Sequence, residues 1–373
     1  MNVLVFLTFG ISLKNWKDSG IINRELKIYK KLKADHNVNF IFVSYGNLED
    51  VSLVNDFDVI PYYKYNRYFK SRILTFFQSI IFSIKLTKLI PSIDLIKTNQ
   101  LLGSWMAIIV KILIKKPLIV RTGYDIYKFS IYEKKNLFKR MFYFLLTQLA
   151  LFCSNTYIVT SNSDKKFLSQ KYVFPKRKIV ILPNWVEKKF HKKSKNMKSR
   201  YENKILTVGR LEEQKNLNQL VKIFSNSEIE IDVIGSGSKK NKLEELAKKY
   251  NTKLNLIGNV NHENLSNIYE KYRIFVSTSL YEGNPKATLE AMASGCLVIV
   301  SNIENNIEII NDEEDGLIHN YSNLLELVKK FINDTNELES FYDKAIKRIQ
   351  EYNSLDIITQ KEYKLYSLLV PNN

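Results

Sequence analysis

Two glutamates, Glu282 and Glu290, stand eight residues apart in SLYEGNPKATLEAMASG (Ser279–Gly295), each embedded among apolar and small residues. A carboxylate in such surroundings is a bidentate acceptor for vicinal hydroxyls, as on a ribose or a hexose. Pro285 suits the entry to a helix, so Ala287–Ser294 is predicted helical, with Glu282–Pro285 as the loop before it. That places Glu282 beside the amides of the helix start and Glu290 two turns along. Upstream, ILTVGRLEEQKN (Ile205–Asn216) reads as a strand ending at Val208 and a tight turn at Gly209, with Arg210 and Lys215 at the mouth of the next helix. A backbone turn, a helix N-terminus and two cations can together hold a diphosphate. VIGSG (Val233–Gly237) and LNLIGNV (Leu254–Val260) contribute Gly235 and Gly258. At Gly235 the backbone can approach a ligand closely, and at Gly258 exposed backbone could pair with the edge of a base.

These residues need strands that end where they stand. Val3–Leu7, Val38–Val43, Leu95–Lys97, Leu118–Arg121, Tyr157–Thr160 and Ile179–Leu182 are short apolar runs separated by segments of helical length. The rhythm restarts with Ile205–Val208, Ile229–Ile234, Leu254–Ile257, Ile274–Ser277 and Leu297–Val300. Near-continuous Val/Ile/Leu strands of this kind indicate parallel sheets covered on both faces. Two series predict an α/β chain of two doubly wound domains, with ligands beyond the carboxyl ends of the strands. Leu324–Leu369 is helical in pattern and carries no motif.

At 373 residues, two domains fit the length, and the 45% hydrophobic content excludes a disordered chain. Cys153 and Cys296 make neither a metal spacing nor a disulfide framework. Charge is divided unevenly. Residues 1–185 hold 29 Lys+Arg against 11 Asp+Glu, whereas residues 201–373 hold 20 against 26. Between them, 186–200 is a basic linker containing Lys188, Lys189, Lys192, Lys193, Lys195 and Lys198. The first half is therefore expected to face an anionic partner. Tyr65–Lys88 interleaves Arg67, Lys70, Arg72, Lys85 and Lys88 with aromatic rings, and Lys134, Lys135, Lys139 and Arg140 lie beside Phe138, Phe142 and Tyr143. That pattern suits an anionic membrane surface. Met141–Ser163 lacks charge for 23 residues, but its strongly apolar part stops at Cys153. Thirteen helical residues span roughly 20 Å, short of a hydrocarbon core of roughly 30 Å. A buried helix running into a strand is expected there.

ILTVGRLEEQKN, VIGSG, LIGNV and EGNPKATLEAMASG, in this order and spacing, resemble the retaining glycosyltransferases of the GT-B fold, glycosyltransferase family four. The resemblance is strong over about residues 200–318. It implies two Rossmann-like domains facing each other across a cleft, an acceptor domain at 1–185 and a donor domain at 201–350, with residues 351–373 returning to the first. It also implies that Arg210 and Lys215 bind the donor diphosphate, that Glu290 binds the ribose, and that Glu282, Gly283, Asn284 and Pro285 face the transferred sugar. Gly209, Gly235 and Gly258 belong to the same donor set, and Gly20, in the Gly10–Gly20 loop, is a candidate for closing over the phosphates. Many members carry a histidine after the strand matching Leu118–Arg121; this chain has Thr122-Gly-Tyr-Asp125. Asp125 stands in as the acceptor-side acid-base group, with Glu282 the other catalytic candidate. The four histidines lie outside the motifs and receive no role.

LPNWVE (Leu182–Glu187) resembles the segment leaving the first domain, commonly with Gly where Trp185 stands. The expected activity is transfer of a sugar from a nucleotide diphosphate sugar to a hydroxyl of a glycan or lipid-linked acceptor, in bacterial cell-surface polysaccharide or lipopolysaccharide synthesis. The alternatives are a sugar-nucleotide epimerase of this fold and a catalytically silent, membrane-associated member. No cofactor, metal or nucleic acid is expected. Asp56-Phe-Asp58 has the spacing of a metal-binding pair but opens an apolar run instead of ending a strand, and the cations serve the diphosphate. The expected location is cytoplasmic, on the inner face of the cell membrane.

Overall fold

The computed structural model describes residues 1–173, 178–191 and 197–371. The chain divides into two compact units: Met1–Leu182 with the residues from Thr359 on, and Pro183–Ile358.

The first unit is built on a sheet of β1 (Asn2–Phe6), β2 (Asn39–Ser44), β3 (Asp58–Pro61), β4 (Leu95–Thr98), β5 (Leu118–Arg121), β6 (Thr156–Val159) and β7 (Ile179–Ile181). All pairings are parallel, in the order β3-β2-β1-β4-β5-β6-β7. The second unit carries β8 (Tyr201–Val208), β9 (Glu230–Ile234), β10 (Leu254–Gly258), β11 (Tyr272–Ser277), β12 (Leu297–Ser301) and β13 (Leu317–His319). Its order is β10-β9-β8-β11-β12-β13, again parallel. Each order reverses once, beside β1 and β4 and beside β8 and β11. Such reversals leave a crevice outside the carboxyl ends of the strands. The central strand β12 is buried along its whole length, which is why its sequence is apolar almost without interruption, whereas the equally buried β4 ends in Lys97 and Thr98.

Two edge strands fall outside the sequence reading. β3 is four residues long, starts at an aspartate and ends at Pro61, a residue a sheet tolerates at its edge. β13 has only two apolar residues, Leu317 and Ile318, between Gly316 and His319, too few to carry a pattern. The uncharged stretch is the helix Leu137–Cys153 followed by β6. Among the described residues, no helix is long and apolar enough to cross a membrane. Asp56 pairs with Lys30 at 2.7 Å, and Asp58 opens β3. Among the described residues, no group of three or more His, Cys, Asp or Glu could hold a metal ion.

The segment expected as a linker belongs to the second unit. Val186, Phe190, Met197 and Arg200 are buried, so apolar side chains anchor it between its lysines. Lys192, Lys193 and Lys195 lie outside the described residues. Arg200 donates to the carbonyls of Tyr272, Ser294 and Gly295 at 2.6–3.0 Å.

From Thr359 the chain is again part of the first unit. Within it, the fully buried Lys97 at the end of β4 pairs with Glu362, and Tyr366 donates its hydroxyl to the same carboxylate at 2.5 Å. Burial pushes the Glu362 carboxyl up, but Lys97 and Tyr366 outweigh it and hold the group below the usual range.

Candidate active site

The candidate residues of the second unit gather at the carboxyl ends of β8, β9 and β11. After β8 the chain turns at Gly209, passes Arg210, and makes a short 3-10 turn, Glu213–Lys215, before the helix Leu217–Ile223. The turn is tied to the loop after β11. Leu280 N–H donates to the Gln214 carbonyl at 2.9 Å, and the Thr278 hydroxyl donates to the Lys215 carbonyl at 3.0 Å. These bonds bring Lys215 Nζ to 2.5 Å from Glu282 Oε1. Ser279 donates to the same oxygen at 2.6 Å, and Gln214 donates to Glu282 Oε2 at 3.3 Å and to the Tyr281 carbonyl at 2.9 Å. Arg210 closes the group by donating to Gln214 Oε1 at 3.3 Å. Glu282 is thus a buried carboxylate held by an ammonium and two neutral donors.

Gly235 explains itself by contact. Its φ is +139°, and a Cβ there would come within 2.0 Å of the Gly209 carbonyl oxygen. No side chain fits, so the turns after β8 and β9 meet backbone to backbone. Gly235 N–H donates to the Gly258 carbonyl at 2.8 Å, so at least one polar group of Gly258 is engaged within the protein.

The helix expected at 287–294 is Lys286–Ala293, with Pro285 as its N-cap. The amides of its first turn have no acceptor within the helix. The loop before it is pinned from two sides. Asn184 N–H donates to the Asn284 side chain at 2.8 Å while the Asn184 amide donates to the Asn284 carbonyl at 2.7 Å, and Asn305 donates to the Gly283 carbonyl at 2.5 Å. Lys286 Nζ lies 3.9 Å from the centre of the Trp185 ring. Glu290, on the same helix, is buried with Oε1 at 2.7 Å from His262 Nε2. Neither His262 nor Gln214 stands out in the sequence. Their signal is position alone, since each follows a strand end on the edge where the other candidates lie.

Gly20 and Asp125 lie in the first unit. The expected glycine loop contains a short helix, Leu13–Asp18, capped by Ser12. Gly20 ends it at φ +68°, with Ile21 N–H reaching back to the Trp16 carbonyl at 2.9 Å. A left-handed residue here is the usual way to stop a helix. Asp125 is buried and caps the helix Ile126–Tyr132, accepting from the Lys128 amide at 2.6 Å. Burial raises its carboxyl to about 7, against the lowering effect of the Lys128 amide and with Asp164 adding to the rise.

A carboxyl raised on folding contributes stability that is fully present below about pH 4, its unfolded value. That contribution is lost as pH rises through about 7. Asp125→Asn keeps a cap acceptor and removes the titration. Its melting temperature relative to the unsubstituted protein should therefore climb between pH 5 and pH 8. A difference that stays constant over this range would show that Asp125 ionises freely.

Residues 187–348 match the family described as Glycosyl transferases group 1, and residues 28–190 match Glycosyltransferase Family 4. Protein CapJ of Staphylococcus aureus is 27% identical over 376 residues, covering 96% of this chain and 90% of that protein. An Escherichia coli enzyme, UDP-Gal:alpha-D-GlcNAc-diphosphoundecaprenol alpha-1,3-galactosyltransferase, is 28% identical across 65% of this chain. The chain spans 63% of that enzyme's length, and 59% of an uncharacterized glycosyltransferase of Methanocaldococcus jannaschii. In fold, the chain is similar to Anabaena HepE, solved in complex with UDP and glucose. The TM-score is 0.78 at 13% identity, covering 99% of this chain and 100% of that one.

Proposed function

We propose, on the premise that the chain belongs to the group 1 glycosyl transferases of family four and has the GT-B fold, that it moves a sugar from a nucleotide diphosphate sugar to a hydroxyl with retention. The observation that carries this reading is the Arg210–Gln214–Glu282–Lys215 network on the same carboxyl edge as Glu290. Arg210, Lys215 and the first amides of the helix Lys286–Ala293 take the diphosphate, and Glu290 takes the ribose hydroxyls. Glu282 and the loop through Gly283, Asn284 and Pro285 face the sugar. Lys215 and Ser279 both engage Glu282, which suits a carboxylate that orients hydroxyls better than a free nucleophile. In the transfer, the bond from the anomeric carbon to the diphosphate oxygen breaks and the acceptor oxygen bonds that carbon on the same face. The acceptor's proton passes to the leaving diphosphate oxygen.

The donor is testable directly. A panel of UDP-, GDP- and ADP-sugars should contain one that raises the melting temperature, and at 100 times its dissociation constant it should stabilise the fold by roughly 2.7 kcal/mol. Turnover with that donor should persist in EDTA, since two cations and a helix start serve the phosphates. No stabilisation by any nucleotide sugar would sink the donor reading, and activity lost in EDTA and restored by Mg²⁺ would sink the metal-free one.

The acceptor is proposed to be a lipid-linked glycan of cell-surface polysaccharide synthesis, reached from an anionic membrane. The similarity to the capsular polysaccharide biosynthesis glycosyltransferase CapM of Staphylococcus aureus and to the galactosyltransferase whose name gives alpha-D-GlcNAc-diphosphoundecaprenol as its acceptor supports this. So does the surface of the first unit. The helix Arg72–Leu86 exposes Ile73, Phe77, Ile81 and Ile84, and the helix Leu137–Cys153 exposes Phe138, Met141, Leu145, Leu149 and Phe152. The two helices meet at Phe76 and Phe142, whose ring centres are 6.1 Å apart. Phe138 is 82% exposed and is followed by Lys139 and Arg140. Each cation near an anionic surface contributes about 1 kcal/mol. Replacing Lys134, Lys135, Lys139 and Arg140 by Gln should reduce binding to anionic liposomes while leaving donor affinity unchanged. Equal binding to neutral and anionic liposomes would refute the electrostatic part of this docking.

A further inference from the structure

His262 opens the helix His262–Tyr269 directly after β10 and its turn, with Asn261 as N-cap. Its ring is buried between two acidic side chains. Nε2 lies 2.7 Å from Glu290 Oε1, and Nδ1 lies 3.5 Å from Glu187 Oε1. The side chains of His262, Glu187 and Glu290 are 6%, 7% and 4% exposed, so water supplies little of their solvation. Lys189 lies 3.2 Å from Glu187, and the Phe190 ring sits 5.4 Å from the imidazole. All of these residues belong to the second unit.

A carboxylate only accepts, so the short contact requires the proton on Nε2. Among the described residues, His262 is the one side chain that donates to Glu290, and none of them donates a hydrogen bond to Glu290 Oε2. A buried carboxylate without a donor bears the full cost of desolvation and has no fixed direction. With His262 on one oxygen, the other is free to accept from a ligand.

We propose that His262 is a positioning residue for the nucleotide ribose: held between Glu187 and Glu290, it fixes the Glu290 carboxylate so that its second oxygen meets the ribose hydroxyls. This rests on the reading of Glu290 as the ribose ligand. The role is to orient another group, since His262 itself is buried, with Nε2 spent on Glu290 and Nδ1 turned toward Glu187.

The test uses the full chain and calorimetry with UDP, GDP and ADP, followed by the 2′,3′-dideoxy form of whichever binds. His262→Leu should weaken the nucleoside diphosphate about tenfold, the scale of one hydrogen bond to a charged group. Affinity for the dideoxy form, which has no hydroxyls to orient, should stay unchanged. His262→Gln carries an amide that can reach the same oxygen and should recover most of the loss. Equal losses for both ligands, or no loss for either, would overturn the proposal, the first by making His262 a packing residue. Glu290→Ala separates the premise. If that variant binds with full affinity, the ribose reading of Glu290 fails and the proposal with it. If it loses affinity while His262→Leu does not, the proposal alone fails.

Discussion

Arg210→Ala should lower the affinity for the nucleotide sugar by roughly 10- to 100-fold while leaving the melting temperature unchanged. A charge-assisted hydrogen bond is worth about 1.5–3 kcal/mol, and each 1.4 kcal/mol is about tenfold in affinity. Arg210 is exposed and reaches the buried Gln214 through one long hydrogen bond, 3.3 Å, and water can take its place at Gln214 Oε1 once the guanidinium is gone. Lys215→Ala is a less clean probe of the same charge. It would strip the buried Glu282 of its cation, mixing lost binding with lost stability. On the proposed reading Arg210 acts on phosphate alone, so the free nucleoside should bind the variant as it binds the unsubstituted protein. Calorimetry with nucleotide sugar and nucleoside separates the two. Wild-type affinity for the nucleotide sugar would remove Arg210 from the diphosphate site.

Glu362→Ala should destabilise the first unit by about 3–5 kcal/mol, because it leaves the ammonium of Lys97 buried without its counter-ion. That is a large part of the 5–15 kcal/mol that typically holds a domain folded. Replacing both partners with apolar residues of similar volume, Lys97→Met with Glu362→Leu, should recover most of the loss, since no charge then remains to desolvate. Trp16 and Trp105 lie in the first unit and Trp185 in the second. In a Trp185→Phe background, tryptophan fluorescence during urea unfolding therefore reports the first unit. A single variant that unfolds at the same urea concentration as its parent would show that the ion pair contributes nothing.

The central strands were legible because a parallel strand covered on both faces has no polar side to disguise it. β1, β4, β5, β11 and β12 each sit where an apolar run predicts them. Two of the four edge strands were not: β3 starts at Asp58 and β13 has only two apolar residues, whereas β7 and β10 fall where apolar runs predict them. The cluster of Arg210, Lys215 and Glu282 was legible as motif, because each residue lies between the end of a strand and the α-helix that follows it. Its wiring through Gln214 was not, since a glutamine among charged neighbours looks like surface. His262 escaped notice for a related reason. Its partners lie 28 residues after it and 75 before it, distances at which spacing says nothing about contact. Asp125 carried a readable signal of another kind, an aspartate just before a helical pattern, which is an N-cap signature.

The pairing of Lys97 with Glu362 also sets an order of events during synthesis. The two residues are 265 positions apart, with the whole of the second unit between them. At about 5–20 residues per second, the ribosome delivers the carboxylate on the order of 10–50 s after the lysine. Domains usually consolidate as they emerge, but here the earlier one waits on the later one with a cation in its interior. The first unit therefore matures last, and a released chain truncated just before Glu362 should hold a folded second unit and a first unit still open to proteases.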